Sequence, residues 1–246
     1  MAFLVAIPVH NEEKHVERVL ADVAKYAENI LVIDDGSTDS TPELLERVRG
    51  IEVITHSVNQ GYGAGIIEAL RYACRFNYQY TITLDADEQH SPQQIPELMA
   101  AAPMADIVSG SRYMLPCPDC DLPPASRRAI NARITKLINE LTGYRLTDAF
   151  CGFKCYRVKP MCELNLNEPG YGMPLQLWLQ AAKHGLTVRE IPVRIVYHDP
   201  SRRFGGGLDD DDARLRYYLE VIEREKQSPP PPICTCRKGR CGSNEE

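Results

Sequence analysis

The stretch TLDADEQH, residues 83–90, ends an apolar run by presenting several acids and an amide within five residues. Tyr80 to Leu84 reads as a short buried strand, so these polar groups belong to the loop at its carboxyl end. On both sides of it, apolar runs of strand length alternate with segments of helical period. Phe3 to Val9 is a strand; Glu13 to Tyr26 carries Val16, Val19, Leu20 and Val23 at helical spacing; Ile30 to Ile33 is again a strand. Ser40-Thr41-Pro42-Glu43 has the form of a capping box opening a helix, followed by a strand over Ile51 to Thr55. After a glycine-rich turn come a helix over Ile66 to Phe76, the strand Tyr80 to Leu84, a helix over Pro92 to Ala101 and a strand over Asp106 to Ser109. This order predicts an α/β fold, a mostly parallel, doubly wound sheet with helices on both faces.

In such a sheet, ligands bind beyond the carboxyl ends of the strands. That rule selects four loops: His10-Asn11-Glu12, Asp34-Asp35-Gly36-Ser37, Asn59 to Gly65, and Asp85 to Gln89. Three of them are rich in carboxylates, which favours a cation, or a sugar and base edge, over a bare phosphate. Asp85 and Asp87 are two apart, so continued extension puts them on one side, with Gln89 next in the row. Two carboxylates and an amide oxygen suit Mg²⁺ or Mn²⁺, with diphosphate oxygens and water completing the octahedron. The plainer alternative is an acidic turn serving the helix that begins at Ser91-Pro92.

Composition limits the rest. The chain has 246 residues, 43% of them hydrophobic, and a net charge of -6, enough for a full core and contrary to a nucleic-acid binder with a broad basic face. No window has eighteen consecutive apolar residues and no signal peptide opens the chain, so the expectation is a cytoplasmic protein without a transmembrane segment. The nine cysteines are an odd number spread over a long chain, and are expected to be reduced. Cys117 and Cys120, with Cys234, Cys236 and Cys241, offer an irregular set for zinc. From residue 228 to 246 a polyproline run and a charged end read as a disordered tail, leaving residues 1–227 as a single domain.

The stretches IPVHNE (7–12), VIDDGSTD (32–39), NQGYGAG (59–65), LDADEQH (84–90), GSRY (110–113) and DAFCGFK (148–154) together resemble the inverting glycosyltransferases of family 2 with a GT-A fold. Within that family the resemblance is to the polyprenol (dolichol) phosphate mannosyltransferase and glucosyltransferase group. It implies a single GT-A, Rossmann-like domain that moves a hexose from a nucleotide-diphosphate sugar of GDP-mannose or UDP-glucose type, with Mg²⁺ or Mn²⁺, to polyprenyl or dolichyl phosphate. Carried over by position, Pro8, Glu12 and Asp35 hold base and ribose, Asp85, Asp87 and Gln89 hold metal and sugar diphosphate, and Arg112 faces phosphates or acceptor.

Several positions keep two readings. His10 stands where relatives often have an aromatic residue, and it either stacks on a base or is a polar loop residue. Asp34 and Asp35 either serve the donor or end a strand in an Asx turn; Glu12 is a donor ligand or a first-turn helix acid; Gly61, Gly63 and Gly65 approach the nucleotide or only permit a tight turn. In the family frame Arg-x-x-Gly-x-Ser-Lys, Arg202 and Gly205 match while Gly207 and Leu208 replace serine and lysine, and Asp209 to Asp212 follow. Those acids either repel an anionic acceptor or start the helix Ala213 to Glu225.

For an anionic acceptor, Arg112, Arg127, Arg128, Arg202 and Arg203 are the positioning groups. The stripe Ile130, Ile134, Leu137, Ile138 and Leu141, flanked by basic residues, is either a core face or a peripheral contact with the cytoplasmic side of a membrane. A sugar hydroxyl acceptor would instead need a base, for which Asp148 is the candidate. Two other classes remain: a phosphatase of the haloacid dehalogenase type with Asp85 as nucleophile, and a nucleotide-sugar binding module without turnover.

Overall fold

The computed structural model describes residues 2–114, 124–194 and 207–228. Strand β1 (Phe3–Val9) is central, and its alternation is lost because both faces are covered: Leu4, Val5, Ala6 and Ile7 are all buried. It is followed by α1 (Val16–Val23), β2 (Ile30–Asp34), α2 (Thr41–Leu45), β3 (Glu52–Thr55), α3 (Tyr62–Arg75), β4 (Tyr80–Thr83), α4 (Ile95–Ala101) and β5 (Ile107–Ser111). The second part adds α5 (Ala125–Thr142), β6 (Lys154–Arg157), α6 (Val158–Met161), α7 (Met173–Lys183), β7 (Val188–Pro192) and α8 (Asp211–Gln227).

The strands form one sheet in the order β3-β2-β1-β4-β6-β5-β7. Strands β1 to β4 pair in parallel, with Phe3 opposite Tyr80 and Val9 opposite Asp34. Strand β6 alone runs antiparallel, between β4 and β5, while β7 lies parallel to β5. The sheet is therefore mostly parallel, as the βα alternation requires, with β6 and β7 added by the part of the chain whose periodicity is weakest.

Several local expectations shift. Helix α1 is shorter than Glu13 to Tyr26, with turns at both ends, its first turn starting from the Glu12 carbonyl that accepts from His15 and Val16. The capping box at Ser40 does not form. Ser40 makes no side-chain cap and its N–H donates to Glu13 Oε2, while Asp39 Oδ1 accepts from Thr41 N–H at 2.9 Å. Pro92 to Gln94 is a 3₁₀ turn leading into α4. At α8 the helix-start reading holds: Asp210 Oδ1 accepts from Ala213 N–H at 2.7 Å.

The α5 stripe is a core face. Ile134 and Ile138 are fully buried in a cluster with Trp178 of α7 and Tyr218 and Val221 of α8, and Ile130 and Leu137 pack against it; only Leu141 is exposed. Burying each such side chain contributes about 1.5–3 kcal/mol, so this surface is consumed by folding. Among the described residues no helix is long and apolar enough to cross a membrane.

Cysteine pairing also departs from expectation: Cys74, in the last turn of α3, is disulfide-bonded to Cys162, just after α6. The two residues are 88 apart in sequence, so spacing gave no sign that the α3 to α6 packing brings them together. Cys151 and Cys155 are free and buried. The zinc candidates Cys117, Cys120, Cys234, Cys236 and Cys241, and the tail, lie outside the described residues.

Candidate active site

All four carboxyl-end loops converge on one cavity of about 1090 Å³, lined among others by Pro8, His10, Glu12, Asp35, Asn59, Gly61, Asp85, Asp87 and Gln89. The parallel pairing of β2, β1 and β4 delivers the first, second and fourth loops side by side. The third loop reaches them through Asp35. Its Oδ1 accepts from Gln60 N–H at 2.8 Å and meets His56 Nδ1 at 2.7 Å, while Oδ2 accepts from Gly61 N–H at 2.7 Å. Asp35 is thus a buried cross-link between loops as well as part of the wall. Asp34 serves its own loop, its Oδ1 accepting from Ser37 N–H three residues on at 3.1 Å. His10 Nδ1 lies 2.9 Å from the Asp35 carbonyl, which orients its ring at the cavity edge.

Gly61 needs to be glycine. Its φ is +107°, and a Cβ there would lie 2.5 Å from the Pro169 carbonyl oxygen. Gly63 differs from expectation: it sits inside α3, facing the Glu168 and Gly170 carbonyls, where a Cβ would come within 2.3 and 2.6 Å, and it does not line the cavity. Its role is close packing of α3 on the 168–170 segment.

The stretch that opens the sequence reading leaves β4 and does not stay extended. Glu88 has a φ of +62°, unusual for a residue with a side chain. Its carboxylate is gripped by Arg18 of α1 and lies 3.4 Å from Nδ1 of His15 at the start of that helix, and Glu88 does not line the cavity. This turn, rather than a strand period, aims Asp85, Asp87 and Gln89 at the same space. Asp87 Oδ1 also accepts from Gln89 N–H at 3.1 Å.

Beneath Asp85 lies a packed floor. The Tyr62 hydroxyl lies close to the Asp85 carboxylate, and burial, then the Asp85 charge, hold that phenol well above its ordinary value. His90 Nδ1 is 3.5 Å from Asp85 Oδ2, and burial lowers His90 to about 4, so the ring is neutral at pH 7. Among the described residues no three His, Cys, Asp or Glu side chains are grouped to hold a metal ion by themselves. Two carboxylates and an amide at the edge of a wide cavity do fit a hard divalent ion that takes its remaining ligands from substrate phosphates and water.

The same cavity is also lined by cationic and aromatic side chains, Arg112, Arg127 and Arg214 with Tyr113, Phe150, Tyr171 and Tyr218. All three guanidiniums act electrostatically on the Tyr218 hydroxyl, so three separate elements bring positive charge to one region. Arg112 is already committed to Asp148: its Nε donates to Oδ2 at 2.5 Å and its Nη2 to Oδ1 at 2.8 Å. Asp148 is fully buried and also accepts from Asn131 Nδ2 at 2.8 Å. Burial alone would raise its carboxyl, but Arg112 and Asn131 hold it well below the ordinary carboxylate range. A side chain so placed is a poor proton acceptor, which corrects its reading as a base: Asp148 orients Arg112.

Arg128 is exposed and does not line the cavity, because one step along α5 turns it roughly 100° away from Arg127. Arg202 and Arg203 lie outside the described residues. Sequence reasoning missed Tyr62, Asn131, Tyr171, Arg214 and Tyr218. Tyr62 stood inside NQGYGAG, where attention to the glycines hid it; Tyr171, Arg214 and Tyr218 lie in or beside helices whose contribution only tertiary packing reveals.

The family model described as "Glycosyl transferase family 2" matches residues 4–164. The chain is 28% identical over 218 residues to the "Undecaprenyl-phosphate mannosyltransferase" of Micrococcus luteus, covering 85% of this chain and 89% of that one. It is 25% identical to the "UDP-N-acetylglucosamine--dolichyl-phosphate N-acetylglucosaminyltransferase" of Methanococcus voltae, covering 81% and 87%. Among solved structures, glucosyl-3-phosphoglycerate synthase from Mycobacterium tuberculosis, in complex with Mn²⁺, UDP and glucosyl-3-phosphoglycerate, superposes with a TM-score of 0.69 at 17% identity, covering 93% of this chain and 81% of that one.

Proposed function

Since this chain belongs to glycosyl transferase family 2 and is a glycosyltransferase, we propose that it transfers a sugar from a nucleoside-diphosphate donor to the phosphate of a polyprenyl phosphate. The observation that carries this reading is that one cavity gathers both charges: Glu12, Asp35, Asp85 and Asp87 together with Arg112, Arg127 and Arg214. The relatives named for undecaprenyl-phosphate and dolichyl-phosphate transfer support the same acceptor class.

The chemistry follows from that combination. Pro8, His10, Glu12 and Asp35 take base and ribose. Asp85, Asp87 and Gln89 would hold a Mg²⁺ or Mn²⁺ ion, which when bound would supply charge neutralisation for the departing nucleoside diphosphate. Arg127 and Arg112 orient the acceptor phosphate, Arg112 being kept rigid by Asp148. An acceptor phosphate oxygen attacks the anomeric carbon from the face opposite the diphosphate. The C1–O bond to the donor breaks with its electrons on the departing oxygen, and configuration inverts. A phosphate oxygen is already anionic, so no base is required, consistent with the burial of Asp148.

Calorimetric titration with GDP-mannose, UDP-glucose and UDP-N-acetylglucosamine, first with Mn²⁺ and then with chelator, tests the donor half. Manganese-dependent binding of one donor is expected; heat from none of the three would contradict the reading.

A further inference from the structure

We propose that Tyr62 is a positioning residue, its hydroxyl fixing Asp85 and its ring tying that carboxylate to the segment around Tyr171 that packs on the start of α3. The inference rests on the metal reading of Asp85 given above. Tyr62 is the first residue of α3, placed directly after Gly61, whose positive φ aims the helix start into the cavity. Its hydroxyl and the Asp85 carboxylate converge at one point beside Gly152. Both groups crowd the Gly152 backbone: a Cβ there would lie 2.6 Å from the Tyr62 hydroxyl and 2.6 and 2.8 Å from the two Asp85 oxygens. The absence of a side chain at Gly152 is what makes room for the pair.

The ring is fixed from the other side. Tyr62 and Tyr171 stack with centroids 5.5 Å apart and planes 10° from parallel. The backbone next to Tyr171 is in turn fastened to α8. Gly172 N–H donates to the Tyr217 hydroxyl at 3.0 Å, and that hydroxyl donates to Glu168 Oε1 at 2.7 Å. Glu168 is buried and also pairs with Arg224. The stack with Tyr171 thereby holds the Tyr62 hydroxyl beside the Asp85 carboxylate.

The test uses Tyr62→Phe, which keeps the ring and its stack, and reads Mn²⁺ binding by electron paramagnetic resonance with GDP or UDP present, whichever the wild type binds. About a ten-fold loss of Mn²⁺ affinity is expected, with the thermal transition within a few degrees of wild type and kcat reduced more than the donor KM rises. Gly152→Ala, which displaces the same carboxylate from the other side, is expected to lose Mn²⁺ affinity as well. Unchanged Mn²⁺ affinity in Tyr62→Phe overturns the inference. If the wild type itself binds no Mn²⁺ with either nucleotide, the metal reading fails, and this inference with it.

Discussion

Replacing Asp148 by Asn leaves Arg112 buried beside a neutral amide, so Asp148→Asn is expected to lower stability by about 3–5 kcal/mol in denaturant unfolding. The pH dependence has a definite sign. Arg112 and Asn131 keep the folded carboxyl below its ordinary value of 3.8, so its contribution is complete above that value and is lost as pH falls below it. The gap between wild type and Asp148→Asn should hold constant from neutral pH down to about that point and shrink in stronger acid; a gap that closes already near neutrality would refute the pairing argument. Arg127→Ala touches only the acceptor half, so the acceptor KM should rise about ten-fold or more while calorimetric donor binding stays as in the wild type, since a charge-assisted contact is worth roughly 1.5–3 kcal/mol. Individual residues were legible in sequence where short-range chemistry fixed them: Asp85, Asp87 and Gln89 share a loop, and Glu12 and Asp35 end adjacent strands. Asp148 was legible as a charged site residue and not as a base or a strut, because that distinction depends on Arg112, 36 positions away.

Helix α3 shows how packing overrides propensity. Alanine is favoured over glycine in a helix interior by about 1 kcal/mol, yet Gly63 faces two carbonyl oxygens that a methyl group would strike. Gly63→Ala is therefore expected to destabilise by about 1–3 kcal/mol, measured by urea unfolding, whereas a gain in stability would show that the 168–170 segment can yield. The strands and helices up to β5 could be read from period alone, because each βα unit repeats the same alternation of buried runs. Strand β6 begins at the end of the DAFCGFK stretch, and its antiparallel insertion between β4 and β5 is a non-local pairing with no local signature. Helix α5 gave the correct stripe with two possible partners, and the burial of Ile134 and Ile138 against α7 and α8 decides for the core.

Across the whole molecule, the loops after β1, β2 and β4 supply the acidic residues of the cavity and the chain after β5 supplies Arg112, Arg127 and Arg214, so substrate binding draws on the earlier and later parts of the chain. The Cys74–Cys162 bond ties these parts together on the side of α3 and α6. Its removal in a Cys74→Ser, Cys162→Ser double variant should lower stability by about 2–4 kcal/mol, seen as a reduced melting temperature that added thiol reductant no longer changes. The disulfide escaped the sequence reading because nine cysteines at irregular spacing carry no pairing information until the fold is known. The central claim is transfer to a lipid phosphate, and the most direct measurement incubates the full chain with Mn²⁺, a radiolabelled nucleotide sugar and polyprenyl phosphate, then extracts the lipid phase. The account predicts label in an acid-labile polyprenyl phosphosugar of inverted anomeric configuration, abolished in Asp87→Asn. Label released only as free sugar, or transferred to a neutral saccharide in place of the lipid, would contradict it.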